Sequence, residues 1–290
     1  MKWVDYIQPS TLDDALGLLK KHGEQAGILA GGTDLLVLLR AKAKSSDIIV
    51  DIKNIAELNQ LDFDKKTGLT IGAAVPCYKI YNDSNVKKYY PGIIDSASII
   101  GGTQIQGRAT LGGNLCNSAP SADAVPGMIA MGVTCKVAGS NGVREVPVEE
   151  FCLAPRKNIL KPDEILVSLN YPAPKPNTGS RYIRFIPRNE MDIAVVGVGV
   201  YVELENNKFK DLRVSLASVA PKPIFVQEAG TSVVGKEVNE ENINLAALKA
   251  KEAAKPITDM RGTIEFRKHL SEVLTKRALQ TAIERAKESV

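Results

Sequence analysis

Histidine is nearly missing from this chain: His22 and His269 are the only two in 290 residues. A Ser/His/Asp triad or a histidine-rich metal site therefore has no material to build from. His22 reads as a helix-end residue beside Gly23, and His269 as one polar residue among the charges of a late helix. The four cysteines, Cys77, Cys116, Cys135 and Cys152, are widely spread and form no CxxC pair. Zinc and iron–sulfur sites draw at least two ligands from one short turn, so these read as reduced, buried thiols. Aromatic residues make up only 5% of the chain, too few for a base-stacking surface. Charge of neither sign dominates: the net value is +4, with no stripe of Lys or Arg, which leaves nucleic-acid binding unsupported. The opening Met1-Lys2-Trp3-Val4-Asp5 lacks the apolar core of a signal peptide, and the longest apolar run, Ile193 to Val202, is far too short to span a bilayer. A cytoplasmic location with no membrane span is the expectation. No Gly-x-Gly-x-x-Gly opens a strand–helix turn. Gly230 to Lys236 spells a phosphate loop up to its lysine, but Glu237 stands where Ser or Thr should hold magnesium. That stretch reads as a helix end with a glycine cap.

Two glycine-rich turns stand out against these absences. Ala30-Gly31-Gly32-Thr33-Asp34 follows the apolar Ile28-Leu29, and Thr110-Leu111-Gly112-Gly113-Asn114 lies further along. Each pairs two glycines with small hydrogen-bonding residues where a strand gives way to a loop or helix. Such turns expose backbone N–H groups, and a Cβ there would hold an anion away from the main chain. One turn says little, since glycines also serve ordinary turns. Two suggest a ligand with two phosphates, gripped from both sides.

Residues 1–55 read as a small α/β unit. Ser10 is placed to cap a helix whose apolar positions Leu12, Ala15, Leu16 and Leu19 share a face, with Gly23 as its stop. Ile28-Leu29 reads as a strand, Leu35 to Ala43 as a helix and Ile48 to Ile52 as a strand. Residues 56–174 read as a second, mixed unit: a strand over Leu69 to Ala74, a helix over Tyr89 to Ile100, and a strand over Cys135 to Ala138 before the hairpin turn at Asn141-Gly142. Pro172 to Ser180, with prolines at 172, 174 and 176, reads as a linker. Residues 181–290 then hold strands over Arg181 to Pro187, Ile193 to Glu203 and Leu212 to Val219, the last two split by Asn206-Asn207. Gly197-Val198-Gly199 inside the second reads as close packing. A helix from Thr263 to Ala286 follows, with Phe266, Leu270, Val273, Leu274 and Ala278 as a core stripe.

The strings around the glycines extend beyond them. Ala30-Gly31-Gly32-Thr33-Asp34-Leu35-Leu36 and Thr110-Leu111-Gly112-Gly113-Asn114-Leu115-Cys116-Asn117-Ser118-Ala119-Pro120-Ser121-Ala122-Asp123 resemble the FAD-binding subunit of molybdenum hydroxylases. That family takes in the medium subunits of carbon monoxide dehydrogenase and nicotinate dehydrogenase and the flavin domain of xanthine dehydrogenase. Tyr6 to Leu12, Met191 to Val198, Ala217 to Pro223 and Asp259 to Arg267 resemble it as well, in the same order.

The resemblance implies an α+β fold: a vanillyl-alcohol-oxidase-type (PCMH-type) FAD-binding domain in two parts, then a C-terminal domain of a small antiparallel sheet plus helices. It implies noncovalent FAD on an oxidoreductase subunit with no catalytic acid or base of its own. By position, Leu29, Ala30, Gly31, Gly32, Thr33, Asp34, Leu35 and Leu36, together with Thr110, Leu111, Gly112, Gly113 and Asn114, would hold the diphosphate. Ile100 and Gly101 match a position that packs on the cofactor, where the family often has an aromatic. Asp123 matches a carboxylate that hydrogen-bonds the cofactor; read from the residues alone it is equally a helix cap before Ala124-Val125-Pro126. Leu160 matches an isoalloxazine contact, and Arg184 falls where some relatives have a lysine near the flavin. The family also implies partners: a small 2Fe–2S subunit and a large molybdopterin subunit, in a dimer of heterotrimers, with NAD(P)+, oxygen or a quinone as acceptor. The chain has no cluster-binding cysteine insertion of the 4-hydroxybenzoyl-CoA reductase kind. A stand-alone flavoprotein oxidase or reductase of this fold, and a flavin-free binding or assembly module, are the alternatives.

Overall fold

Residues 3–289 are described by the computed structural model. Along the chain come β1 (Asp5–Ile7), α1 (Leu12–His22), β2 (Ala26–Leu29), α2 (Leu35–Arg40) and β3 (Ile48–Asp51). The three strands form a parallel sheet in the order β1-β3-β2. Ala15 and Leu19 of α1 are buried against it. The cap of α1 is Thr11 and not Ser10: the Thr11 hydroxyl accepts from the Asp14 N–H at 3.1 Å and lies 2.6 Å from the Asp14 carboxylate. Thr11→Ala is therefore expected to cost about 1 kcal/mol, while Ser10→Ala costs nothing measurable; urea midpoints of the two variants check this. Gly23, at φ 53°, ends the helix as expected. Helix α2 stops at Arg40, short of Ala43, because Lys42 turns left-handed (φ 58°) and sends the Ala43 N–H back to the Leu38 carbonyl.

The second layer is an antiparallel sheet in the order β4-β5-β10-β6-β7, made of β4 (Leu61–Asp64), β5 (Gly68–Gly72), β6 (Thr134–Gly139), β7 (Gly142–Pro147) and β10 (Ile165–Tyr171). Between β5 and β6 the chain packs six short helices: α3 (Cys77–Asn82), α4 (Ser84–Tyr89), α5 (Pro91–Ala97), α6 (Thr103–Gln106), α7 (Leu111–Asn117) and α8 (Ala124–Ala130). The helix expected over Tyr89 to Ile100 is shorter, running from Pro91 to Ala97, and Tyr89 instead ends α4. Pro91 has no N–H to give and suits a first helical position, and it pushes Tyr90 out of the helical region to φ −134°, ψ 52°. After β7 come α9 (Val148–Phe151) and a small hairpin, β8 (Cys152–Ala154) with β9 (Lys157–Asn158).

The third layer is an antiparallel sheet, β11 (Thr178–Phe185), β12 (Val196–Glu205), β13 (Lys208–Ala217) and β14 (Ile224–Phe225), followed by α10 (Gln227–Thr231), α11 (Glu240–Ala253) and α12 (Ile264–Glu288). Asn206 and Asn207, at φ 51° and 59°, make the tight turn between β12 and β13. Alternation on β12 sorts its two faces. Val198, Val200 and Val202 pack on Leu270, Leu274 and Ala282 of α12. On the other face a Cβ at Gly199 would lie 2.3 Å from the Pro126 carbonyl oxygen, so the glycine lets α8 lie directly on the strand. Strand β11 begins inside the expected linker. Gly179 is there for contact, not flexibility, since a Cβ would come 2.0 Å from the Ala282 carbonyl oxygen of α12. Gly230 likewise packs on Leu212 and not around a phosphate. Among the described residues no helix is long and apolar enough to cross a membrane.

Candidate functional site

Both glycine turns open on one cleft of about 760 Å³, between the parallel sheet and the helices of the second layer. The first turn joins β2 to α2. The second is the start of α7, where the Thr110 hydroxyl accepts from the Gly113 N–H at 2.8 Å. The turns touch through Gly31: its Cβ would fall 2.1 Å from the Arg108 carbonyl oxygen and 3.1 Å from Ala109 Cα, just before Thr110. Gly32 has φ 76°, a conformation that a side chain rarely adopts. Gly112 lies on β5's exit, where a Cβ would meet the Ala73 carbonyl oxygen at 2.6 Å. Gly113 differs from these three. A Cβ there would meet only the Thr110 hydroxyl, at 2.9 Å, and otherwise face the cleft.

Each glycine thus has its own physical reason, and together they leave main chain as the surface of the cleft. Among the described residues the N–H groups of Gly31, Gly32 and Thr33 have no protein acceptor. They border the cleft and are free to hold an anion. The size suits a dinucleotide-sized ligand. The residues present therefore fit FAD: a main-chain cradle that side chains would fill, with unpaired donors on it.

The other expected site residues divide. Ala30, Thr33, Asp34 and Leu35 of the first turn line the cleft, as do Ile100, Thr110, Asn114 and Leu160. The Asn114 side chain is already engaged, its Oδ1 accepting from the Ala124 N–H at 3.1 Å. The Leu160 N–H is engaged as well, donating to Asn158 Oδ1 at 2.9 Å. Leu29 and Leu111 are buried beneath the turns, and Leu36 faces outward, 48% exposed. Gly101, at φ 59°, turns the chain away behind Ile100.

Asp123 and Arg184 do not line the main cleft. They form a buried pair, Arg184 Nη1 to Asp123 Oδ2 at 2.6 Å, and the Tyr182 hydroxyl donates to Asp123 Oδ1 at 2.8 Å. Asp123 stands at the start of α8 yet makes no side-chain cap there. Burial pushes its pKa up, opposed first by Arg184. Arg184 borders a second, smaller hollow of about 360 Å³ with Asp95, Arg181 and Ile99. Ile99 lines that hollow and its neighbour Ile100 lines the cleft.

Tyr182, Arg156 and the lysines of the cleft rim were not among the residues read from the sequence. Tyr182 had a signal: it is two positions from Arg184 on a strand and so shares its face. Arg156 sits in a hairpin turn with a left-handed backbone, which nothing in the sequence announces. Cys116 also borders the cleft, its thiol pushed up to about 12 by burial and so held protonated. All four cysteines are free, and no metal-binding cluster occurs among the described residues.

Two family models cover nearly the whole chain. Residues 2–174 match the FAD binding domain in molybdopterin dehydrogenase, and residues 181–282 match the CO dehydrogenase flavoprotein C-terminal domain. The chain is 34% identical to the xanthine dehydrogenase FAD-binding subunit of Escherichia coli O157:H7 over 282 residues, covering 97% of this chain and 96% of that protein. It is 28% identical to the carbon monoxide dehydrogenase medium chain of Afipia carboxidovorans, covering 98% of both. Its fold superposes on a chain of carbon monoxide dehydrogenase from Hydrogenophaga pseudoflava with a TM-score of 0.93 at 27% identity, covering 97% of this chain and 98% of that one. For quinoline 2-oxidoreductase from Pseudomonas putida 86 the TM-score is 0.90 at 26% identity, covering 99% of each chain.

Proposed function

The chain belongs to the FAD-binding subunits of the molybdenum hydroxylases, a family of oxidoreductases, and we propose that it takes electrons from 2Fe–2S clusters of a partner subunit and passes them to NAD(P)+ or another acceptor. The observation that carries this reading is the meeting of two main-chain turns on one cleft, touching through Gly31. Gly31, Gly32 and Thr33 would hold one side of the diphosphate through their N–H groups, and the start of α7 would take the other side, where Gly113, its own N–H given to Thr110, keeps the cleft clear of a side chain. Ile100 and Leu160 would supply apolar walls. Leu29, Leu111 and Gly101 would set the turns from beneath, and Asp123 with Arg184 and Tyr182 would fix α8 and β11 at the flavin end.

Bound FAD supplies the redox chemistry, accepting electrons singly and releasing them as a pair. The protein's share is to seat it, to hold its anionic groups and to keep competing groups quiet. The protonated Cys116 thiol is no nucleophile toward it. The reading extends to a hetero-oligomer with a small 2Fe–2S subunit and a large molybdopterin subunit, in a dimer of heterotrimers, working in the cytoplasm.

Purification of the chain alone and with its partners tests this. Alone, it is expected to carry FAD released intact by acid, and to oxidise no organic substrate. With both partners it should copurify and gain turnover together with molybdenum and iron. Turnover by the isolated chain would favour a free-standing flavoprotein, and a colourless chain that takes up no FAD would favour a binding module.

A further inference from the structure

Arg156 stands at the turn of the β8–β9 hairpin with φ 60°. A bulky residue adopts that conformation only where its surroundings hold it, and such positions gather at functional sites. Its N–H donates to the Ser118 carbonyl at 3.0 Å. Ser118 is itself left-handed (φ 48°) and fully buried at the end of α7. Asn158 Nδ2 ties the other side of the hairpin to the Cys116 carbonyl at 2.8 Å. The hairpin is thus fastened to the helix whose first turn contains Gly112 and Gly113.

The side chain borders the main cleft and is exposed. Among the described residues it has no salt bridge and no hydrogen-bonded side-chain partner. Arg144 and Arg184, by contrast, are each paired with a carboxylate, Glu164 and Asp123. The charge that Arg156 does feel is Asp34, in the first glycine turn, where burial raises the carboxyl pKa and Arg156 opposes the rise. An unpaired guanidinium therefore lines the same cleft as the turn that leaves three N–H groups open. It also offsets the one carboxylate that would repel a phosphate there.

We propose that Arg156 is a cofactor-binding residue that pairs with the diphosphate of FAD from the β8–β9 hairpin, which lines the cleft together with the glycine turns. The proposal rests on the FAD reading above. A guanidinium offers two parallel N–H donors to phosphate oxygens, which a lysine cannot match.

The test uses the full chain freed of flavin and titrated with FAD, ADP and riboflavin. Arg156→Ala is expected to weaken FAD and ADP by ~10- to 100-fold and to leave riboflavin, which has no phosphate, unchanged. Arg156→Lys should fall between, and Asp34→Asn should restore part of what Arg156→Ala loses. Alanine carries the same left-handed backbone as arginine, so the melting temperature of the flavin-free protein should not move. Unchanged FAD affinity, or an equal loss for riboflavin, overturns the assignment. If the wild-type chain binds neither FAD nor ADP, the parent reading falls, and that outcome is separate from a variant that binds as well as wild type.

Discussion

Gly31→Ala is expected to destabilise the folded chain and strip it of flavin, while Gly113→Val empties the site of flavin and leaves the fold nearly untouched. The contrast comes from what each new side chain would meet. At Gly31 the first added carbon lies 2.1 Å from the Arg108 carbonyl oxygen and 2.7 Å from its carbon, both main-chain atoms. Backbone cannot rotate aside as a side chain can, so the two turns must separate. Overpacking of this kind costs about 1–3 kcal/mol. The displacement also reaches Thr110 within two residues, so the cradle opens from both sides. At Gly113 the only close atom is the Thr110 hydroxyl at 2.9 Å. Disturbing that cap costs about 1 kcal/mol, and the rest of the valine occupies the cleft. Urea unfolding of the flavin-free proteins separates the two effects, because bound flavin would itself stabilise. Flavin content per chain supplies the second axis. Full flavin in Gly113→Val would remove the second turn from the diphosphate.

Such local demands make the glycine turns legible in the sequence. A glycine needed for a positive φ or for an open main chain leaves its mark in two or three adjacent residues. The Asn206-Asn207 turn was legible for the same reason, since asparagine tolerates the φ values of 51° and 59° found there. Gly179 was misread as part of a linker because its purpose lies elsewhere in the chain, at Ala282 of α12. A glycine that admits a helix looks the same in sequence as one that loosens a loop. Pro91 was a local signal passed over: it begins a helix and so had to divide the stretch from Tyr89 to Ile100. The Tyr182–Asp123–Arg184 cluster joins residues 59 and 61 positions apart, and no periodicity reports that distance. The family resemblance pointed to Asp123 and Arg184 one at a time. Their partnership with each other depends on β11 lying beside the start of α8.

That partnership gives the second large effect. Arg184→Met is expected to cost about 3–5 kcal/mol at neutral pH, because it leaves the buried Asp123 carboxylate without its cation. The sign of the pH dependence follows from the direction of the shift. Burial already holds the Asp123 pKa above its ordinary value, and Arg184 is the first influence opposing this. Without Arg184 the folded-state pKa rises further above the unfolded one. A group raised in this way stabilises the fold when protonated, and that contribution is lost as pH climbs through the folded pKa. The defect in Arg184→Met should therefore shrink as the pH is lowered from neutral toward the ordinary carboxylate range. The wild type moves the other way over the acid range. Glu164 and Glu203, held low chiefly by their bonds to Arg144 and Lys210, lose stabilisation as they protonate. The quantity to follow is accordingly the difference between variant and wild type in urea unfolding at each pH. Asp123→Asn combined with Arg184→Met should recover much of the loss. The amide oxygen can still accept from the Tyr182 hydroxyl while no charge remains buried. A defect that stays constant with pH, and that the double variant does not relieve, would mean that Arg184 acts through its packing and not through Asp123.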